Sequence, residues 1–90
     1  MTLKILKKKN IYHLKGKIIT SDVNSLISYF TTKIHKKNKI FLNIDETQEI
    51  DKNGLKAIGQ LMNLASSKEK SFAIVGLGCK EIYDHFQEAS

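Results

Sequence analysis

Proline, tryptophan and arginine are absent from this chain of 90 residues, and cysteine occurs once, as Cys79. Without proline, turns must be built by glycine, asparagine, aspartate and serine. A lone cysteine excludes an internal disulfide and suits a reducing compartment. The missing arginine removes the side chain that reads guanine edges or phosphates through two parallel hydrogen bonds; all 15 basic residues are lysines, point charges on flexible stems. Long apolar runs are missing too. No stretch approaches the roughly 20 residues of a membrane-spanning helix, and residues 1–10 interleave lysines where a secretory leader is continuously apolar. A cytoplasmic protein without a transmembrane segment is therefore expected. At this length one small core is expected, which excludes a two-lobed enzyme with a site between its domains.

What is present is ordinary globular material, 41% hydrophobic and 27% charged, with a net charge of +6. The charge is lopsided. Residues 1–42 carry ten lysines against one acid, Asp22, a net of +9; residues 43–90 carry five lysines against eight acids, a net of −3. Such an excess of lysine generally serves solvation or long-range steering. Lysine-driven binding of nucleic acid or of a membrane surface through residues 1–42 is the alternative. No stacking-aromatic or helix-turn-helix module accompanies it, so no specific nucleic acid is expected.

Along the chain, residues 2–7 and Ile11–Ile18 read as two strands of a hairpin, with Gly16 placing a bulge or a close backbone approach in the second. Thr20, Ser21 and Asp22 are helix-capping types, and Val23, Leu26, Ile27, Phe30 and Ile34 follow at helical spacing. The run Ile40–Ile44 predicts a central strand buried on both faces. An acidic loop from Asp45 to Asp51 follows, then a helix carrying Leu55, Ile58, Leu61, Met62 and Ala65, capped by Asp51. Phe72–Val75 predicts another strand, and Ile82, Tyr83 and Phe86 a last helix. The predicted order is ββαβαβα: one α/β domain spanning residues 1–90, with a mixed sheet of about four strands and helices mainly on one face.

The segment Lys39-Ile-Phe-Leu-Asn-Ile-Asp45, followed by Ile50-Asp-Lys-Asn-Gly-Leu55, is the most specific part of the sequence. It resembles the STAS domain family of bacterial anti-sigma-factor antagonists, in which a buried strand leads through a loop to an Asp-Ser-Ser/Thr-Gly-Leu motif opening a helix. Leu14-Lys-Gly16, Val23 to Phe30, Phe72 to Gly76 and the segment from Cys79 to Phe86 extend the resemblance over nearly the whole chain. It implies a protein-interaction module in bacterial signalling and transcription control, whose partner is a kinase-type anti-sigma factor or a similar regulatory protein. The surface so implied comprises Thr47, Asp51, Lys52, Asn53, Gly54, Leu55 and Gln60. The chain departs from the motif at the phosphoacceptor position, where Asn53 stands in place of serine or threonine and Lys52 precedes it. A carboxamide accepts no phosphoryl group, so binding is expected to be constitutive or controlled elsewhere. A second role implied by the resemblance is that of a small subunit of a membrane transporter's ATPase complex.

Other patterns point to no chemistry. Asp45, Glu46, Glu49 and Asp51 lack the alternate spacing and central glycine of a calcium loop. Gly76-Leu-Gly78 lacks the third glycine of a dinucleotide fingerprint, since Glu81 occupies that position. Cys79, His13, His35 and His85 do not have metal-ligand spacing. No nucleophile, base and orienting acid can be assembled, so no enzyme activity, cofactor or metal is expected.

Overall fold

Alternating Leu3, Ile5 and their lysine neighbours form β1 (Leu3–Lys8), which turns through Lys9 and Asn10 into β2 (Ile11–Ile18), with Lys9 in the left-handed region at φ 57°. This computed structural model describes residues 3–76 together with 78, 80, 82 and 84. The hairpin register pairs Leu3 with Gly16 and Lys8 with Ile11. Gly16 adopts φ 99°, and the register shifts between it and Lys17, as a bulge at that glycine requires. A 3₁₀ turn at Thr20–Asp22 leads into α1 (Val23–Lys36). Asp22 occupies the cap position there but its side chain makes no capping bond. β3 (Lys39–Asn43), β4 (Thr47–Ile50), α2 (Lys52–Ser67) and β5 (Ser71–Val75) complete the described elements.

The sheet runs β1-β2-β3-β5, with β4 pairing with β2 beyond the end of β3; every pairing except the hairpin is parallel. Two expectations are corrected here. The sheet has five strands where about four were expected, because the acidic segment read as a loop contains β4. Its residues Thr47-Gln-Glu-Ile50 carry little hydrophobic signal, yet they extend the ladder along β2. The described order is accordingly ββαββαβ, and the last helix expected around Ile82, Tyr83 and Phe86 lies largely outside the described residues. Nor is β3 buried on both faces: Ile40 and Leu42 are fully buried, whereas Phe41 and Asn43 are only half-buried.

The buried face of the sheet is the one that meets α1 and α2. Tyr12, Leu14, Ile40 and Leu42 project there and pack with Leu26, Phe30 and Ile34 of α1 and Ile58, Leu61 and Ala65 of α2. Aromatic rings form the centre. Phe30 makes edge-to-face contacts with Tyr12, Tyr29 and Phe72 at centroid distances of 5.3, 5.0 and 6.2 Å. Tyr12 is a core residue although it lies in the lysine-rich half, and its hydroxyl has no hydrogen-bond partner among the described residues. Burial pushes that phenol's pKa up, with Tyr29 adding to the effect.

Glycines let the chain's corners close. A Cβ on Gly76, which has φ 95°, would stand 2.6 Å from the Asp45 carboxylate, and one on Gly78 would overlap the carbonyl oxygens of Ile44 and Asp45. Gly76 and Gly78 are thus explained by close packing against the end of β3.

Candidate functional site

The first turn of α2 is built around Asp51, whose extended backbone (φ −97°, ψ 179°) places its carboxylate over the helix N-terminus. One carboxylate oxygen accepts from the Gly54 amide at 2.8 Å, as the capping expectation required. The other accepts two bonds from Thr20, from its backbone amide and its hydroxyl, both at 2.7 Å. Asn53 completes the network by donating its side-chain amide to the Thr20 hydroxyl oxygen at 3.0 Å. The Asp51 amide in turn donates to the Ile18 carbonyl at 3.1 Å, tying the helix start to the end of β2.

These donors hold the Asp51 carboxyl below the usual carboxylate range: the Gly54 amide contributes most, then the Thr20 hydroxyl, against an opposing effect of burial. Because the folded pKa is depressed, the stability that Asp51 contributes is fully present above the unfolded value and is lost as pH falls through the folded one. Asp51→Asn keeps an acceptor for Gly54 but turns an amide group toward the Thr20 donors. Its melting temperature is expected to lie several degrees below wild type at neutral pH, with the gap closing in acid; thermal melts on a pH series check this. A gap independent of pH would show that the charge is immaterial.

The residues singled out from the sequence divide into two groups. Lys52, Asn53 and Gln60 are exposed. Asn53, Lys56 and Gln60 follow one helical face and, with Thr20, Val23, Asn24 and Ala57, line a shallow groove of about 270 Å³ between the starts of α1 and α2. Asp51 and Leu55 are partly exposed, Leu55 packing against the core. Thr47 and Gly54 are buried. Thr47 is 1% exposed and donates its hydroxyl to the Leu14 carbonyl at 2.7 Å, so it is a bolt between β4 and β2. Gly54 is buried because α2 passes directly over Ile18, where a Cβ would stand 2.7 Å from the carbonyl oxygen.

Thr20 is the member that sequence reasoning missed. Its capping character is legible, but its partner is 31 positions away, across the β2 to α2 contact. Lys56 was missed although it lies one helical turn from Asn53, and Asn24 was missed because only the packing of α1 against α2 brings it to the same groove. Among the described residues no group of three His, Cys, Asp or Glu side chains is placed to hold a metal ion, and no helix is long and apolar enough to cross a membrane. The arrangement offers a preorganised polar surface.

A family model described as STAS domain matches residues 2–89. Among solved structures, the anti-sigma factor antagonist SpoIIAA in its unphosphorylated form superposes with a TM-score of 0.64 at 12% identity, over 80% of this chain and 70% of that one. An antisigma-factor antagonist STAS domain from Rhodobacter sphaeroides gives 0.59 at 17% identity, over 98% and 89%. The structure of Mglu gives 0.67 at 15% identity over 79% of this chain, which spans only 18% of that longer chain. At these identities the likeness is one of fold. No curated protein sequence matches the chain.

Proposed function

Because this chain belongs to the STAS domain family, we propose that it acts as a non-enzymatic protein-docking module of the anti-sigma-factor-antagonist kind, with the N-terminal end of α2 as its contact surface. The observation that carries this reading is the network joining Asp51, Thr20 and Asn53. It fixes Asn53 at the mouth of the groove, so a partner meets a surface already ordered and the entropic cost of binding falls. Lys52 and Lys56 make the exposed part of this turn positive, while the Asp51 carboxylate is taken up by its own donors. The complementary partner surface is acidic, in a regulatory protein such as a kinase-type anti-sigma factor.

Control by phosphorylation at the motif position is not part of this reading, because Asn53 has no hydroxyl. Binding is constitutive at this site.

The test is an affinity capture from native lysate with wild-type protein and an Asn53→Lys, Gln60→Lys variant, followed by quantitative mass spectrometry. Both positions are exposed, so folding should survive, as circular dichroism would check. A regulatory protein depleted at least tenfold by the variant supports the assignment. Equal capture by both proteins overturns it. Depletion of a transporter ATPase would keep the docking surface and replace the partner class.

A further inference from the structure

The sheet face turned away from α1 and α2 carries a pattern that the docking reading leaves unused. In the observed register, Leu6 stands opposite His13, which stands opposite Asn43 and then Val75; Ile11 stands opposite Phe41 and then Ala73. The apolar members, Leu6, Ile11, Phe41, Ala73 and Val75, therefore form one stripe across four strands, roughly 14 Å wide at ordinary strand spacing. Its outer end is open: Leu6 is 44% and Ile11 36% exposed, the two large hydrophobic residues at the surface among the described residues.

Lysines flank this stripe. Lys4 and Lys15 pair with each other on one side of Leu6, while Lys8 pairs with Ile11 on the other side. Lys9 lies at the adjoining turn, and Lys39 one alternate position before Phe41. Lys4, Lys8, Lys9 and Lys39 are exposed, and none makes a salt bridge among the described residues. Among the described residues, the acidic side chains on this face are Glu46, which bridges Lys15 at 2.9 Å, and Asp45, both lining a hollow with Leu6, Lys8 and His13.

We propose that this face is a reversible docking surface for anionic lipid bilayers, with Leu6 and Ile11 entering the headgroup region and the surrounding lysines meeting lipid charge. Charge complementarity selects an anionic occupant. Its form follows from three features. Phe41 is the lone aromatic of the stripe and is half-buried, which provides no stacking platform for nucleic-acid bases. Five apolar residues are too few for the roughly 800 Å² per partner of a standard protein interface. A bilayer needs no shape complement, and shallow apolar insertion combined with a polybasic rim is the pairing that gives reversible attachment. The surface is separate from the α2 docking end, so either assignment can fail without the other.

The test is co-sedimentation with vesicles of phosphatidylglycerol mixed with phosphatidylcholine, against vesicles of phosphatidylcholine alone. Wild-type protein should pellet with the first and not the second, and added salt should release it. Leu6→Asp with Ile11→Asp, and separately Lys4→Gln with Lys8→Gln, should each weaken partitioning about tenfold or more. Lys36→Gln with Lys68→Gln, which removes the same charge elsewhere, should bind like wild type. All four positions in the two test pairs and both in the control are exposed, so the variants should fold, which circular dichroism checks. Failure of wild type to pellet with anionic vesicles overturns the proposal. So does undiminished binding by the Leu6, Ile11 pair, or equal weakening by the control pair, which would mean that only bulk charge acts. Release of bound protein by polyglutamate with no dependence on Leu6 and Ile11 would reassign the face to acidic polypeptides.

Discussion

Gly54→Val is expected to destabilise the protein by about 3 kcal/mol, although its position on a helix would ordinarily favour almost any residue over glycine. The usual argument gives glycine-to-alanine a gain of up to about 1 kcal/mol inside a helix. Here the space is already taken. A Cβ would lie 2.7 Å from the Ile18 carbonyl oxygen, 2.7 Å from Ile50 Cγ1 and 3.0 Å from Ile18 Cγ2. The Ile18 oxygen is backbone and already accepts from the Asp51 amide, so it cannot rotate away. Relief requires α2 to lift from β2, which stretches that bond and the bonds from Thr20 to Asp51. Alanine should show the same sign at about half the size, and valine adds two methyls to the same clash. Urea unfolding measures both; wild-type midpoints for both variants would refute the close-approach argument. Docking should fall together with stability in these variants, whereas the Asn53 and Gln60 substitutions should separate the two.

Phe30→Ala is expected to have the largest effect among core substitutions, about 3–5 kcal/mol. Phe30 is fully buried and its ring joins Tyr12 of β2, Tyr29 of its own helix and Phe72 of β5, so its removal opens a cavity where α1 and the sheet meet. A domain of this length holds about 5–13 kcal/mol in total, so the loss is a substantial share of it, from about a quarter upward. Thermal melts should drop by more than about 10 °C. Phe30→Leu preserves most of the volume and forfeits the edge-to-face contacts, with an expected loss of about 1–1.5 kcal/mol. A loss of less than about 1 kcal/mol for alanine would show that neighbouring rings collapse into the space.

Much of the architecture was legible in residue order. The 3.6-residue spacing of Leu26, Phe30 and Ile34, and of Leu61 and Ala65, placed both described helices, and period-two burial around Leu14 and Leu42 marked strands of the inner sheet. Asp51 read correctly as a cap because capping is a local interaction over three residues. β4 was not legible: Thr47 and Ile50 face inward while Gln48 and Glu49 are exposed, and four residues give too short a period to stand out from an acidic loop. The exposed or buried state of Thr47 and Gly54 was equally hidden, since each is settled by a backbone carbonyl 33 or 36 positions earlier in the chain.

The sequence by itself determined the α/β class, the family resemblance, the placement of both described helices, the lysine asymmetry and the absence of a hydroxyl at Asn53. These are properties of composition, short-range period and residue identity, which exist before the chain folds. Tertiary structure alone decided that Thr20 closes on Asp51, that Asn53, Lys56 and Gln60 share a groove with Asn24, and that Phe41, Ala73 and Val75 continue the stripe that Leu6 and Ile11 begin. Each of these requires segments distant in sequence to be brought into register by sheet pairing and helix packing. The free energy that selects such a register belongs to the whole core and to no single segment of it.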